Sequence, residues 1–223
     1  MNPIYPAFTI AMFLASIICL KSAYPKKKNL TLYFTSLIYG LLLEKFSIII
    51  FNEYSYPAAE YFFSIYGIPI AIALGWSAAI YSSYYIGKAL GFNKKILPFF
   101  TGLFVLHIDF AMNPVASEVP FWTWTPPGPF FGVILANFFG WFMVAGLFTG
   151  FYEELTEKLE NQILIGITTL IASLIGLLLV LRTWFLITDT NFSKIIVLTL
   201  VIGIAFIAIY KNRNSINLQK LDT

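Results

Sequence analysis

Residues 162–187 read QILIGITTLIASLIGLLLVLRTWFLI, an almost unbroken apolar run with one charge, Arg182, near its end. A bilayer core needs about 20 apolar residues in a helix, so this stretch is long enough to cross one and too long for an ordinary core helix. Working outward, six further stretches come close to the same specification: 5–23, 30–51, 65–87, 96–112, 130–150 and 193–210. The chain is 59% hydrophobic and only 11% charged, against roughly a quarter charged in a soluble domain. The expectation is therefore an all-α integral membrane protein: a single domain over 1–223, built as a bundle of seven transmembrane helices in the cell membrane.

Charge sets the orientation. Lys21, Lys26, Lys27 and Lys28 follow the first span, Lys88, Lys94 and Lys95 follow the third, and Lys211, Arg213 and Lys220 lie in the tail. The loops after the second and fourth spans have no Lys or Arg and carry Glu53, Glu60 and Glu118. The positive-inside rule then predicts an external N-terminus and a cytoplasmic C-terminus. The first apolar run has no basic residue before it, which is the wrong polarity for a cleaved leader, so it is read as a membrane helix. The net charge of +3 is spent in these short loops, and nothing calls for a nucleic-acid partner. The lone Cys19 excludes an internal disulfide and a cysteine metal site. The segment from Glu153 to Glu160, with Glu154 and Lys158 four apart, reads as a solvated helix end.

Two stretches echo each other. The first has Glu44, then Tyr54-Ser55-Tyr56, then Gly67 and, eight residues on, Gly75-Trp76. The second has Asp109, then Trp122-Thr123-Trp124, then Gly132 and, eight residues on, Gly140-Trp141. Each is an acid late in a span, an aromatic pair in the following loop, and a marked helix. Spans two and three, and four and five, are thus expected to be parallel repeats with the site between them.

Ionisable groups in membrane helices are costly and usually face the protein interior or a watery cavity. Glu44 and Asp109 are the leading catalytic candidates, followed by His107 and Asn137. Arg182 is a candidate counter-ion, and the bland reading for it is snorkelling. Tyr54, Tyr56, Trp76, Trp122, Trp124 and Trp141 are candidates to line a substrate pocket; interfacial anchoring is the usual alternative for tryptophan. The Pro-rich stretch from Asn113 to Pro129 reads as a stiff external lid.

The run from Asp109 to Trp141 contains Asp-x3-Asn-Pro-Val-Ala, Phe-Trp-Thr-Trp, Gly-x2-Phe-Gly and Asn-Phe-Phe-Gly-Trp-Phe. It resembles the carotenoid biosynthesis hydratases, which include carotenoid 1,2-hydratases and bisanhydrobacterioruberin hydratase. Glu44, Tyr54-x-Tyr56, Gly67-Ile68-Pro69 and Gly75-Trp76 are similar to the first half of that family. The chain departs from it in having no glycine between Phe46 and Glu53, and Gly132-Val133-Ile134 where Gly-Ile-Pro is usual. The resemblance implies addition of water to the terminal double bond of an acyclic carotenoid, within the bilayer and without a redox cofactor or metal. Such a reaction needs a carboxylic acid to protonate the alkene, and aromatic faces suit the resulting cation. A lycopene-cyclase-like isomerase and a carotenoid-binding or transport protein are the alternatives. A retinal protein would need a lysine in the last span, and Ile195 to Tyr210 has none.

Overall fold

The computed structural model describes residues 2–221, with side chains through residue 212. Arg213 and Lys220 of the basic tail lie outside the residues whose side chains are described. Seven helices follow one another: α1 (Ile4–Ala23), α2 (Lys27–Phe51), α3 (Ile70–Ala89), α4 (Leu97–Glu118), α5 (Leu135–Lys158), α6 (Gln162–Ile187) and α7 (Asn191–Leu221). All except α3 are long and apolar enough to cross a bilayer by length and composition, the architecture of a multi-pass membrane protein. The exception is the most enclosed helix. It carries Ser77, Ser82, Ser83 and three tyrosines and buries 11 of its 20 residues, so neighbouring helices, rather than lipid, cover much of it. Bundle faces elsewhere expose large apolar side chains such as Ile10, Phe13, Ile171, Leu179 and Phe206, a surface suited to hydrocarbon rather than water.

The hairpin α2–α3 meets α4–α5 through α3 and α4, and α2 also packs on α6; α1 covers α3, α6 covers α5, and α7 lies on α4. Small residues allow the closest approaches. A Cβ at Gly40 would lie 2.6 Å from Cβ of Trp76, and one at Gly102 would lie 2.7 Å from the backbone oxygen of Phe142. Helix ends follow local chemistry. The Asn161 side chain caps α6 by accepting from the amides of Ile163 and Leu164, and Pro98 opens α4, where its missing N–H costs nothing.

Four two-residue strands sit in the long loops: β1 (Tyr54–Ser55), β2 (Ser64–Ile65), β3 (Ile68–Pro69) and β4 (Thr123–Trp124). β1 pairs antiparallel with β4, so that Tyr54 faces Trp124 and Ser55 faces Thr123. The two aromatic pairs of the sequence echo are thereby joined backbone to backbone. β2 and β3 form a hairpin closed by Tyr66 and Gly67, both at positive φ, and Phe131-Gly132 repeats that conformation between the bridged residues Phe130 and Val133. Positive φ at both central residues is what a type I′ turn requires. Gly67 and Gly132 therefore belong to turns that precede the helices, not to the helices themselves, and spans predicted to begin at 65 and 130 start at Ile70 and Leu135. In the other direction α4 runs on through Pro114 to Glu118, so the lid begins only at residue 119.

At the opposite end Glu153 departs from the solvated reading. It is buried, accepts a hydrogen bond from the Tyr84 hydroxyl, and pairs with Lys88 Nζ at 2.6 Å. Its neighbour Glu154 is exposed and pairs with Lys158 as its spacing predicts.

Candidate functional site

Beneath the paired loops lies a cavity of about 480 Å³, walled by Glu44, Trp76, Asn137, Trp141, Trp122 and Trp124 among others, and otherwise overwhelmingly apolar. Glu44, in the last third of α2, is the one acid of a helix core on its wall. It is 6% exposed, and each of its oxygens is held. Oε1 accepts from Trp76 Nε1 at 2.6 Å, and Oε2 accepts from the hydroxyls of Tyr54 and Tyr56 at 2.6 and 2.7 Å. The β1 segment thus returns over the end of α2 to clasp the acid ten residues back.

Asp109 of α4 is wholly buried and stands behind Asn137 rather than on the wall. Its Oδ2 accepts from Asn137 Nδ2 at 2.8 Å, and its Oδ1 accepts from Asn113 Nδ2. Both amides are locked the same way round, because Trp141 Nε1 donates to Asn137 Oδ1 and Trp122 Nε1 donates to Asn113 Oδ1, each at 3.1 Å. An indole N–H can only donate, so each amide must turn its oxygen to the tryptophan and its NH2 to Asp109. Asn113 was not among the sequence candidates, although its spacing of four from Asp109 on a helix was a legible signal.

The two acids differ in what surrounds them. Asp109 meets N–H donors only. Oε2 of Glu44 meets two hydroxyls, and a hydroxyl can turn from donor to acceptor. Glu44 can therefore keep its hydrogen bonds with or without a proton on Oε2, whereas the two amides on Asp109 are both locked as donors.

The aromatic candidates converge. Trp76 and Trp141, the last residues of the two echoed motifs, lie with ring centroids 4.1 Å apart. Tyr54 contacts Trp124 at 5.0 Å and Tyr56 contacts Trp122 at 6.3 Å. Burial, then the charge of Glu44, holds both tyrosine hydroxyls well above the ordinary phenol range, so they stay protonated. The Trp124 indole N–H is buried without a hydrogen-bond partner. Glu53, on the loop side of the cavity, is half-buried, and that burial pushes its carboxyl up against the opposing pull of Lys194.

Two sequence candidates fall away from this group. His107 and Arg182 are both exposed on the outside of the bundle, and neither touches the cavity. Residues two apart on a helix face in nearly opposite directions, so turning Asp109 inward turns His107 outward. Arg182 is outward in the same way, next to the buried, cavity-lining Leu181.

The family model described as carotenoid biosynthesis protein matches residues 4–210 of the chain. No curated protein and no solved structure matches it.

Proposed function

The chain belongs to the carotenoid biosynthesis protein family, and from that premise we propose that it hydrates an acyclic carotenoid, adding water across the terminal double bond to give a tertiary alcohol. The observation that carries this reading is Glu44: a carboxyl on the wall of an apolar cavity, clasped by hydroxyls that suit both of its protonation states.

With the end group against Glu44, Oε2 gives its proton to the less substituted alkene carbon. The π electrons form the new C–H bond, and a tertiary cation remains on the neighbouring carbon. The faces of Trp76, Trp141 and the tyrosines stabilise that cation by about 0.5–2 kcal/mol for each close contact. Water then donates a lone pair to the cation, and its surplus proton returns to the Glu44 carboxylate, so that atoms and charge balance and the acid is restored. Asp109 does not touch the substrate in this scheme. It fixes Asn137 and, through it, Trp141, and adds negative potential behind the cation.

The same reading takes α2–α3 and α4–α5 as parallel repeats. In its support, Glu44 and Asp109, Gly67 and Gly132, Gly75 and Gly140, and Trp76 and Trp141 are each 65 positions apart, and both halves carry the same positive-φ pair. The orientation follows the basic loops: β1 and β4 face the exterior, both chain directions agree with an external N-terminus, and the membrane is the cell membrane.

Incubating the purified protein with an acyclic carotenoid and weighing the extracted pigment tests the proposal. A gain of one water supports it. An isomer of unchanged mass indicates cyclisation, and pigment retained unaltered indicates a binding or transport protein.

A further inference from the structure

The cavity is larger than an end group requires. From the carboxyl it extends between α1 and α3, along Phe8, Met12, Ala15 and Cys19 on one side and Gly75, Ala79 and Ser82 on the other. The Tyr5 hydroxyl donates to the Pro120 carbonyl at 3.0 Å, so α1 starts at the loop end of the bundle, as α3 does. This arm therefore runs away from the loops, and the seven-residue rise from Gly75 to Ser82 makes it about 10 Å long, a third of the roughly 30 Å hydrocarbon core.

Its lining is apolar and built of small side chains on the facing walls. Ala15, Gly75 and Ala79 leave the bore open, and the Ser82 hydroxyl is turned back onto the carbonyls of Ala78 and Ala79 in its own helix. At the far end Ile18 is 69% exposed, so the arm opens sideways into lipid. A stripe of small residues alone would fit any tight helix contact. Here it lines a space that leads to a buried acid, which no packing role accounts for.

We propose that this arm is the track for the polyene tail, and that Ala15 and Ala79 set its bore and so select a long, thin, unbranched chain behind the reacting end. The assignment rests on the hydration reading for the identity of the end group. The substrate then enters sideways from lipid with its tail between α1 and α3, and its remaining length leaves the protein beside Ile18.

The test uses Ala15→Leu and Ala79→Leu, one from each wall, with Ala11→Leu as a control. Ala11 is on the exposed face of α1, outside the cavity. Two readouts are taken: visible absorbance of a full-length acyclic carotenoid retained through purification, and the ratio of kcat/KM for that carotenoid to kcat/KM for a short acyclic terpene with the same end. Hydrophobic pockets discriminate by at least about tenfold per methylene-sized change. Both wall variants are expected to lose retention and to lower the ratio by at least about tenfold, with Ala11→Leu like the wild type. Retention by the wall variants equal to wild type, an equal loss on both substrates, or a wild type that retains no carotenoid would overturn the track. A wild type that retains carotenoid but forms no water adduct, while both wall variants lose it, would sink hydration and leave the track standing.

Discussion

Replacing Glu44 by Gln tests the chemistry with little disturbance of the fold. The amide oxygen can take the place of Oε1 and still accept from Trp76, while its NH2 takes the place of Oε2 and faces the Tyr54 and Tyr56 hydroxyls, which can turn to accept it. All three hydrogen bonds keep a partner and a neutral acid is exchanged for a neutral amide, so the cost to stability is expected to be on the order of 1 kcal/mol at most. The proton, by contrast, is lost. A positioned general acid is worth about 10²–10⁴ in rate, or roughly 2.7–5.4 kcal/mol of barrier, and an unactivated alkene places the loss at the upper end. The assay is formation of the water adduct by purified protein in lipid vesicles, with thermal unfolding followed in parallel. A Glu44→Gln protein that unfolds like the wild type and keeps more than about a tenth of its rate would refute the assignment of the acid.

Asp109→Asn is expected to behave differently: its NH2 must confront the NH2 of Asn113 or Asn137, so one amide turns away and frees a buried indole N–H, lowering stability by about 1–3 kcal/mol as well as activity, both visible in the same two assays. His107→Ala and Arg182→Ala, changes on the exposed surface, should stay within the ~0.5 kcal/mol usual there, leaving adduct formation within about twofold of wild type. Gly40→Ala drives a methyl group into Trp76 and is expected to lower thermal stability by about 1–3 kcal/mol and to impair turnover by shifting the indole from Glu44. Because the Tyr54 and Tyr56 hydroxyls titrate well above the ordinary phenol value of about 10, they keep their protons as pH rises through that value. A pH–rate profile in vesicles should therefore show no loss from phenol ionisation below about pH 10.

Membrane helices and the acids within them were legible in the sequence because the bilayer imposes one length and one polarity on every span. The echo was legible too, since it fixes residue types at fixed spacings. What Gly67 and Gly132 do was not, because a type I′ turn is usually announced by Asn-Gly or Asp-Gly, and here Tyr66 and Phe131 take the first position. The difference in surroundings between Glu44 and Asp109 was equally hidden. It depends on which groups meet each oxygen across helices, and nothing in a linear spacing distinguishes a hydroxyl partner from an amide one. His107 misled because nearness along a helix is not nearness in space.

Trp76, Trp122, Trp124 and Trp141 line the cavity, and the chain has five tryptophans in all; the fifth, Trp184, stacks on Phe139 instead. Four of the five indoles thus stand at the wall of one chamber. A conjugated polyene seated against these rings quenches their excited states at contact, so occupancy will darken the protein's own ultraviolet glow, and the filling and emptying of the chamber can be followed in real time without attaching a label.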